Sequence, residues 1–271
     1  MKIKIYGCRG STPFSRKSKY GGNTSCMTLE YGDSLMILDA GSGIMQLDAD
    51  LREKYPTYPH DLPFRLNILI GHLHLDHIIG MTGFAPIWTK GTRTRIFTNA
   101  RGEKPLEEQI FGSFMPPYWP VRMADISQAE CITITDTFDA DGLTVVPFLA
   151  IHPDHTLCFY ITDGEKSIVH LLDYEITEDG APDDLLKWCN NADLVIFDSA
   201  YSQADYALKR GWGHSTVEEG IKLANQTGCK KVLFAHYGQE YSDADLDKWH
   251  DLIPKGDERF ILAQEGMEIE I

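Results

Sequence analysis

The run Gly71-His72-Leu73-His74-Leu75-Asp76-His77 constrains this chain more than any other stretch. It places four candidate metal ligands within six residues, directly after the apolar stretch Leu66-Asn67-Ile68-Leu69-Ile70. A short apolar run closed by glycine reads as a buried strand. Side chains alternate along extended backbone, so His72 and His74 can point the same way from the strand's end. The turn beyond can then swing Asp76 and His77 onto a second position. A fold that accepts this run must present a rigid strand end where two cations can sit side by side.

The rest of the chain has the material for such a fold. Its 271 residues are 43% hydrophobic and 24% charged, ordinary for a globular protein and compatible with a single domain over 1–271. The apolar runs are strand-sized, too short for a membrane span. The start, Met1-Lys2-Ile3-Lys4-Ile5-Tyr6, alternates as a strand does and lacks the apolar core of a signal peptide. Six cysteines (8, 26, 131, 158, 189 and 229) are scattered without a Cys-x-x-Cys pair, as expected for free thiols of a reducing cytoplasm. A net charge of −15 repels long polyanions, which weighs against DNA or long RNA as a partner.

Patterning predicts strands over 3–7, 26–31, 35–39, 66–70 and 95–98, with a helix over 43–54. Further strands are predicted over 132–135, 143–148, 157–162, 168–172, 194–197, 231–235, 260–262 and 267–271. Two helices carry start signals of capping-box form, Ser215-Thr216-Val217-Glu218 and Ser242-Asp243-Ala244-Asp245. Many strands with few helices between them predict two packed sheets covered by helices, a four-layer αββα sandwich within the α/β class. The proline-rich aromatic segment 111–120 predicts a packed surface loop. Its functional alternative is a lid or subunit contact over the metal cleft, and exposed aromatics there give a reason for a homodimer.

Other strand ends supply the remaining ligands. His152, Asp173 and His236 each follow an apolar strand, at the same topological place as the first cluster. Count and charge then predict His72, His74 and His152 on one ion, Asp76, His77 and His236 on the other, and Asp173 between them. Two divalent ions, two carboxylates and a bridging hydroxide leave a formal charge of about +1, suited to an anionic phosphodiester. The segment His152-Pro153-Asp154-His155-Thr156 offers a second histidine.

His-x-His-x-Asp-His followed by His152, Asp173 and His236 resembles the metallo-β-lactamase superfamily. The segments Gly7-Cys8-Arg9-Gly10-Ser11-Thr12-Pro13, Gly21-Gly22-Asn23-Thr24-Ser25 and Leu38-Asp39-Ala40-Gly41-Ser42-Gly43 are similar to its phosphodiesterase branch. That branch includes tRNA 3′-processing endonucleases and bacterial cyclic phosphodiesterases. The spacing of His152 to the strand Cys158-Phe159-Tyr160-Ile161 resembles that of this branch, which implies His152 over His155. His77 sets the chain apart from true β-lactamases, and His74 from diiron flavoproteins, which carry Glu there. Gly211-Trp212-Gly213-His214-Ser215-Thr216 also looks like this branch, and the resemblance implies that His214 donates a proton near the scissile phosphate. The adjoining helix start is expected to lower the His214 pKa while aiming it at an anion. The long basic arm of tRNA-processing relatives has no counterpart here, which weighs against tRNA.

These observations predict a cytoplasmic, dinuclear metal-dependent hydrolase that cleaves a small anionic phosphodiester through a metal-bridging hydroxide. Asp76 would orient that hydroxide and His214 would protonate the leaving oxygen. Zn²⁺ heads the candidate metals, with Mn²⁺ and iron behind it. Two rival readings are a thioester or lactone hydrolase using His155, and a non-catalytic metal-binding sensor.

Overall fold

Residues 1–271 are described by a computed structural model. Its first sheet has the order β14-β1-β2-β3-β4-β5-β6 and its second β13-β12-β11-β10-β9-β8-β7. The first sheet comprises β1 (Lys2–Gly7), β2 (Cys26–Tyr31), β3 (Ser34–Leu38), β4 (Leu66–Leu69), β5 (Thr94–Thr98), β6 (Glu130–Thr133) and β14 (Glu268–Glu270). The second comprises β7 (Phe138–Ala140), β8 (Leu143–Leu149), β9 (Leu157–Thr162), β10 (Ser167–Leu171), β11 (Leu194–Asp198), β12 (Val232–Ala235) and β13 (Phe260–Leu262).

Alternation along the strands explains the layering. Met36 and Leu38 of β3 join the core between the sheets, where they meet Val145, Phe159 and Val169 of the second sheet. Leu35 and Ile37 point the other way, into a second cluster with Leu66, Ile68 and Ile96 and with Ile44, Leu47 and Leu51 of helix Ile44–Lys54. The second sheet is covered in turn by helix Val217–Thr227, whose buried Val217, Leu223 and Ala224 belong to the same cluster, which continues through both faces of that sheet. The result is the predicted four-layer αββα sandwich.

All of the predicted strands are present, with ends within two residues of the expected ones. Strand β7 and helix Asp183–Cys189 were not predicted. One helix start needs correcting. Thr216, not Ser215, caps helix Val217–Thr227, its side chain accepting from the Glu219 N–H. The Ser215 hydroxyl instead donates to Tyr174 O at 2.7 Å and accepts from Ile176 N at 2.9 Å. At the other start, the Asp245 carboxylate accepts the Ser242 N–H, one half of a capping box, and also takes a bond from the Ser242 hydroxyl.

Segment 111–120 packs Phe111 and Phe114 into the cluster on the outer face of the first sheet, with Trp119 against Phe114. Tyr118 is exposed. No helix is long and apolar enough to cross a membrane. The six cysteines are free thiols, all buried except the half-buried Cys131.

Candidate metal centre

Parallel pairing of β3 with β4, and of β10 with β11 and β12, brings several carboxyl ends to one rim of the sandwich. Asp39 follows β3, His72 follows β4, Asp173 follows β10 and His236 follows β12; Asp198 ends β11. His74 caps the short helix Leu75–Ile78, which carries Asp76 and His77. His152 sits in the connection from β8 to β9. Asp39, Asp173 and His236 have left-handed backbone at φ 60°, 54° and 66°. Non-glycine residues hold that conformation at a cost of about 1–3 kcal/mol, and such strain concentrates at functional sites.

All seven sequence-predicted ligands converge. His72, His74, His152 and Asp173 offer ligand atoms within 4.8 Å of one another, and so do Asp76, His77 and His236. Asp173 lies between the groups. Its Oδ1 is 3.7 Å from Nε2 of both His72 and His152. Its Oδ2 is 3.0 Å from His77 Nε2 and 3.3 Å from His236 Nε2. The Asp76 Oδ2 is 3.2 Å from His236 Nε2 and accepts the Ser11 N–H at 2.7 Å. His155 is exposed and belongs to neither group.

The donor set fits divalent cations. Asp173 Oδ2 is buried with imidazole nitrogens of His77 and His236 beside it, and both ring nitrogens of His72 are buried without a hydrogen-bond partner. Buried polar atoms are rarely left so, because each loses its hydration for nothing. Here one nitrogen of His72 lies with ligand atoms of His74, His152 and Asp173, all within 4.8 Å of one another. The four buried carboxylates Asp39, Asp76, Asp173 and Asp198 also demand positive charge in the same volume, which imidazolium or a metal ion can supply. Burial disfavours the charged His236, yet Asp173, Asp76 and Asp198 together raise its pKa to about 9. Burial holds the His72 pKa well below its ordinary value against the pull of Asp173.

Two carboxylates that sequence reasoning left without a role face imidazoles of this cluster. Asp39 Oδ2 faces His77 Nδ1 at 2.9 Å, and Asp198 Oδ2 faces His214 Nδ1 at 2.8 Å. Asp198 also accepts the Asp173 N–H at 2.9 Å and the Ala200 N–H at 2.9 Å. Both residues end or follow apolar strands, the same signal that singled out Asp173 and His236. The expected fall in the His214 pKa is overturned. Burial does press it down, but the Asp198 carboxylate outweighs burial and raises it. His214 precedes the helix cap and meets a full charge before it meets any dipole.

A cleft of about 480 Å³ opens beside the ligands, lined by Ser11, His74, His152, Tyr201, Trp212 and His214 among others. No residue of segment 111–120 lines it.

The beta-lactamase superfamily domain is matched over residues 36–237. Ribonuclease Z 1 of Schizosaccharomyces pombe is 24% identical over 254 residues, covering 87% of this chain and 30% of that protein. The chain thus spans under a third of that relative. Ribonuclease Z of Haloarcula marismortui is 21% identical over 315 residues, covering 99% of this chain and 96% of that protein. Among solved structures, a diphosphatase from the PhnP family superposes with a TM-score of 0.71 at 17% identity, covering 100% of this chain and 97% of that one.

Proposed function

This chain belongs to the beta-lactamase superfamily, and we propose that it is a dinuclear metal-dependent phosphodiesterase acting on a small anionic phosphodiester. The observation that carries this reading is Asp173, whose two oxygens face separate imidazole groups, Oδ1 towards His72 and His152, Oδ2 towards His77 and His236. A carboxylate so placed suits a bridge between neighbouring cations.

His72, His74 and His152 would hold one ion and Asp76, His77 and His236 the other. The nitrogen-rich set favours Zn²⁺, with Mn²⁺ and iron as alternatives. When bound, such a pair supplies a water of lowered pKa and neutralises charge on the phosphoryl oxygens. Asp76, fixed by the Ser11 N–H, orients the attacking water. Asp198 holds Nδ1 of His214 and stabilises the imidazolium, leaving Nε2 to pass a proton to the leaving oxygen. Asp39 holds His77 in its ligating orientation.

The size of the cleft and the charge of −15 support a small substrate. The expectation against nucleic acid has no support from the relatives, which are named ribonuclease Z. RNA cleavage is therefore the second reading, and it predicts steeply salt-dependent RNA binding. The thioester reading is weakened because its ligand, His155, lies apart from both groups.

His214→Ala tests the leading reading. Turnover of thymidylyl-(3′→5′)-thymidine, whose alkoxide leaving group needs a proton, should fall by about 10²–10⁴-fold with metal content retained. Unchanged turnover would remove His214 as proton donor.

A further inference from the structure

Trp212, on the cleft wall, is 59% exposed, yet the backbone around it is hydrogen-bonded on both sides. The carboxylate of Glu175, 4% exposed, accepts the Gly211 N–H through Oε1 and the Gly213 N–H through Oε2, both at 2.9 Å. The Trp212 N–H donates to Lys209 O at 3.2 Å. Burying a carboxylate is expensive unless hydrogen bonds compensate it. Here the bonds that compensate it hold the backbone at the residues before and after one exposed indole. Gly213 in turn packs closely against the edge of His152, and Trp212, His152 and His214 line the same cleft. Across the cleft wall, the Tyr201 ring is 5.4 Å from that of His214, and the Lys209 ammonium, paired with Glu240, lies 4.3 Å above Tyr201.

Resting on the phosphodiesterase reading, we propose that Trp212 is a stacking platform for a planar aromatic group on the substrate, a nucleobase by preference, and that Glu175 is its positioning residue. The substrates are then nucleoside phosphodiesters, with the base on Trp212 and the phosphate towards Asp173 and His214. A cleft of about 480 Å³ has room for one nucleotide. Stacking on an aromatic side chain tolerates any base, because every base offers a π face.

Two esters with the same leaving group test this, thymidine 5′-(p-nitrophenyl) phosphate and methyl p-nitrophenyl phosphate. The protein should favour the thymidine ester in kcat/KM by about tenfold or more. Trp212→Ala should collapse that ratio towards one, Trp212→Phe should keep most of it, and Glu175→Gln should fall between. Calorimetric binding of thymidine 5′-monophosphate, which needs no turnover, should weaken about tenfold in Trp212→Ala. Turnover of both esters without preference, or a ratio untouched by Trp212→Ala, overturns the subsite alone. Turnover of neither ester overturns the phosphodiesterase reading, and the monophosphate titration still decides whether Trp212 binds a base.

Discussion

A methyl group added to Gly213 would meet Cδ2 of His152 at 2.0 Å, and the residue sits at φ 91°. Gly213→Ala therefore combines backbone strain of about 1–3 kcal/mol with displacement of a candidate ligand. Zinc affinity, read by competition with a chromophoric chelator, should drop by about tenfold or more. Gly164 is the control, because it has a similar φ of 94° with open space around it. Gly164→Ala should cost stability and leave zinc affinity alone; equal losses in both variants would contradict the role of the Gly213 contact. Single residues were legible in the sequence where type and placement coincided. His72, His74, Asp76 and His77 announce themselves by density, and His152, Asp173 and His236 by following strands. Asp39 and Asp198 follow the same rule but are lone carboxylates, indistinguishable from turn residues until their imidazole partners are brought beside them by the fold. The His214 pKa failed for the same reason, since Asp198 is 16 residues away in the chain.

At the scale of elements, the site is a property of strand ends. Parallel pairing of β3 with β4 sets Asp39 beside the first histidine run, and Asp39 Oδ1 accepts the Gly71 N–H at 3.4 Å while Oδ2 faces His77. Removing such an outer carboxylate frees the ligand to rotate. Asp39→Ala should weaken metal binding about 10–100-fold without changing the number of ions held, measured by titration with a chelator buffer. An unaltered affinity would show that packing alone orients His77. Strands were easy to read because their apolar runs serve two cores at once, as Leu35 and Ile37 face one cluster while Met36 and Leu38 face the other. Strand β7 is only three residues long, and helices such as Gln203–Tyr206 are a single turn. Neither is long enough for a period to show. Thr216 displaced Ser215 as cap because Ser215 is spent bonding Tyr174 and Ile176, a contact between distant segments that no local pattern carries.

On the scale of the whole molecule, the centre joins the two sheets. Asp39, His72, His74, Asp76 and His77 come from the first, and His152, Asp173, Asp198, His214 and His236 from the second. The sandwich was legible from strand count, and the convergence of these residues was inferred from their shared topological place. The cleft contents were not, because Glu175, Trp212 and Gly213 meet only through loops. The central claim is a bridged pair of ions on Asp173. Metal content per chain by plasma mass spectrometry, on the protein and on Asp173→Asn after identical zinc loading and gel filtration, tests it most directly. The account predicts two ions for the protein and one or none for the variant; a single ion in the protein, or two in the variant, would contradict it.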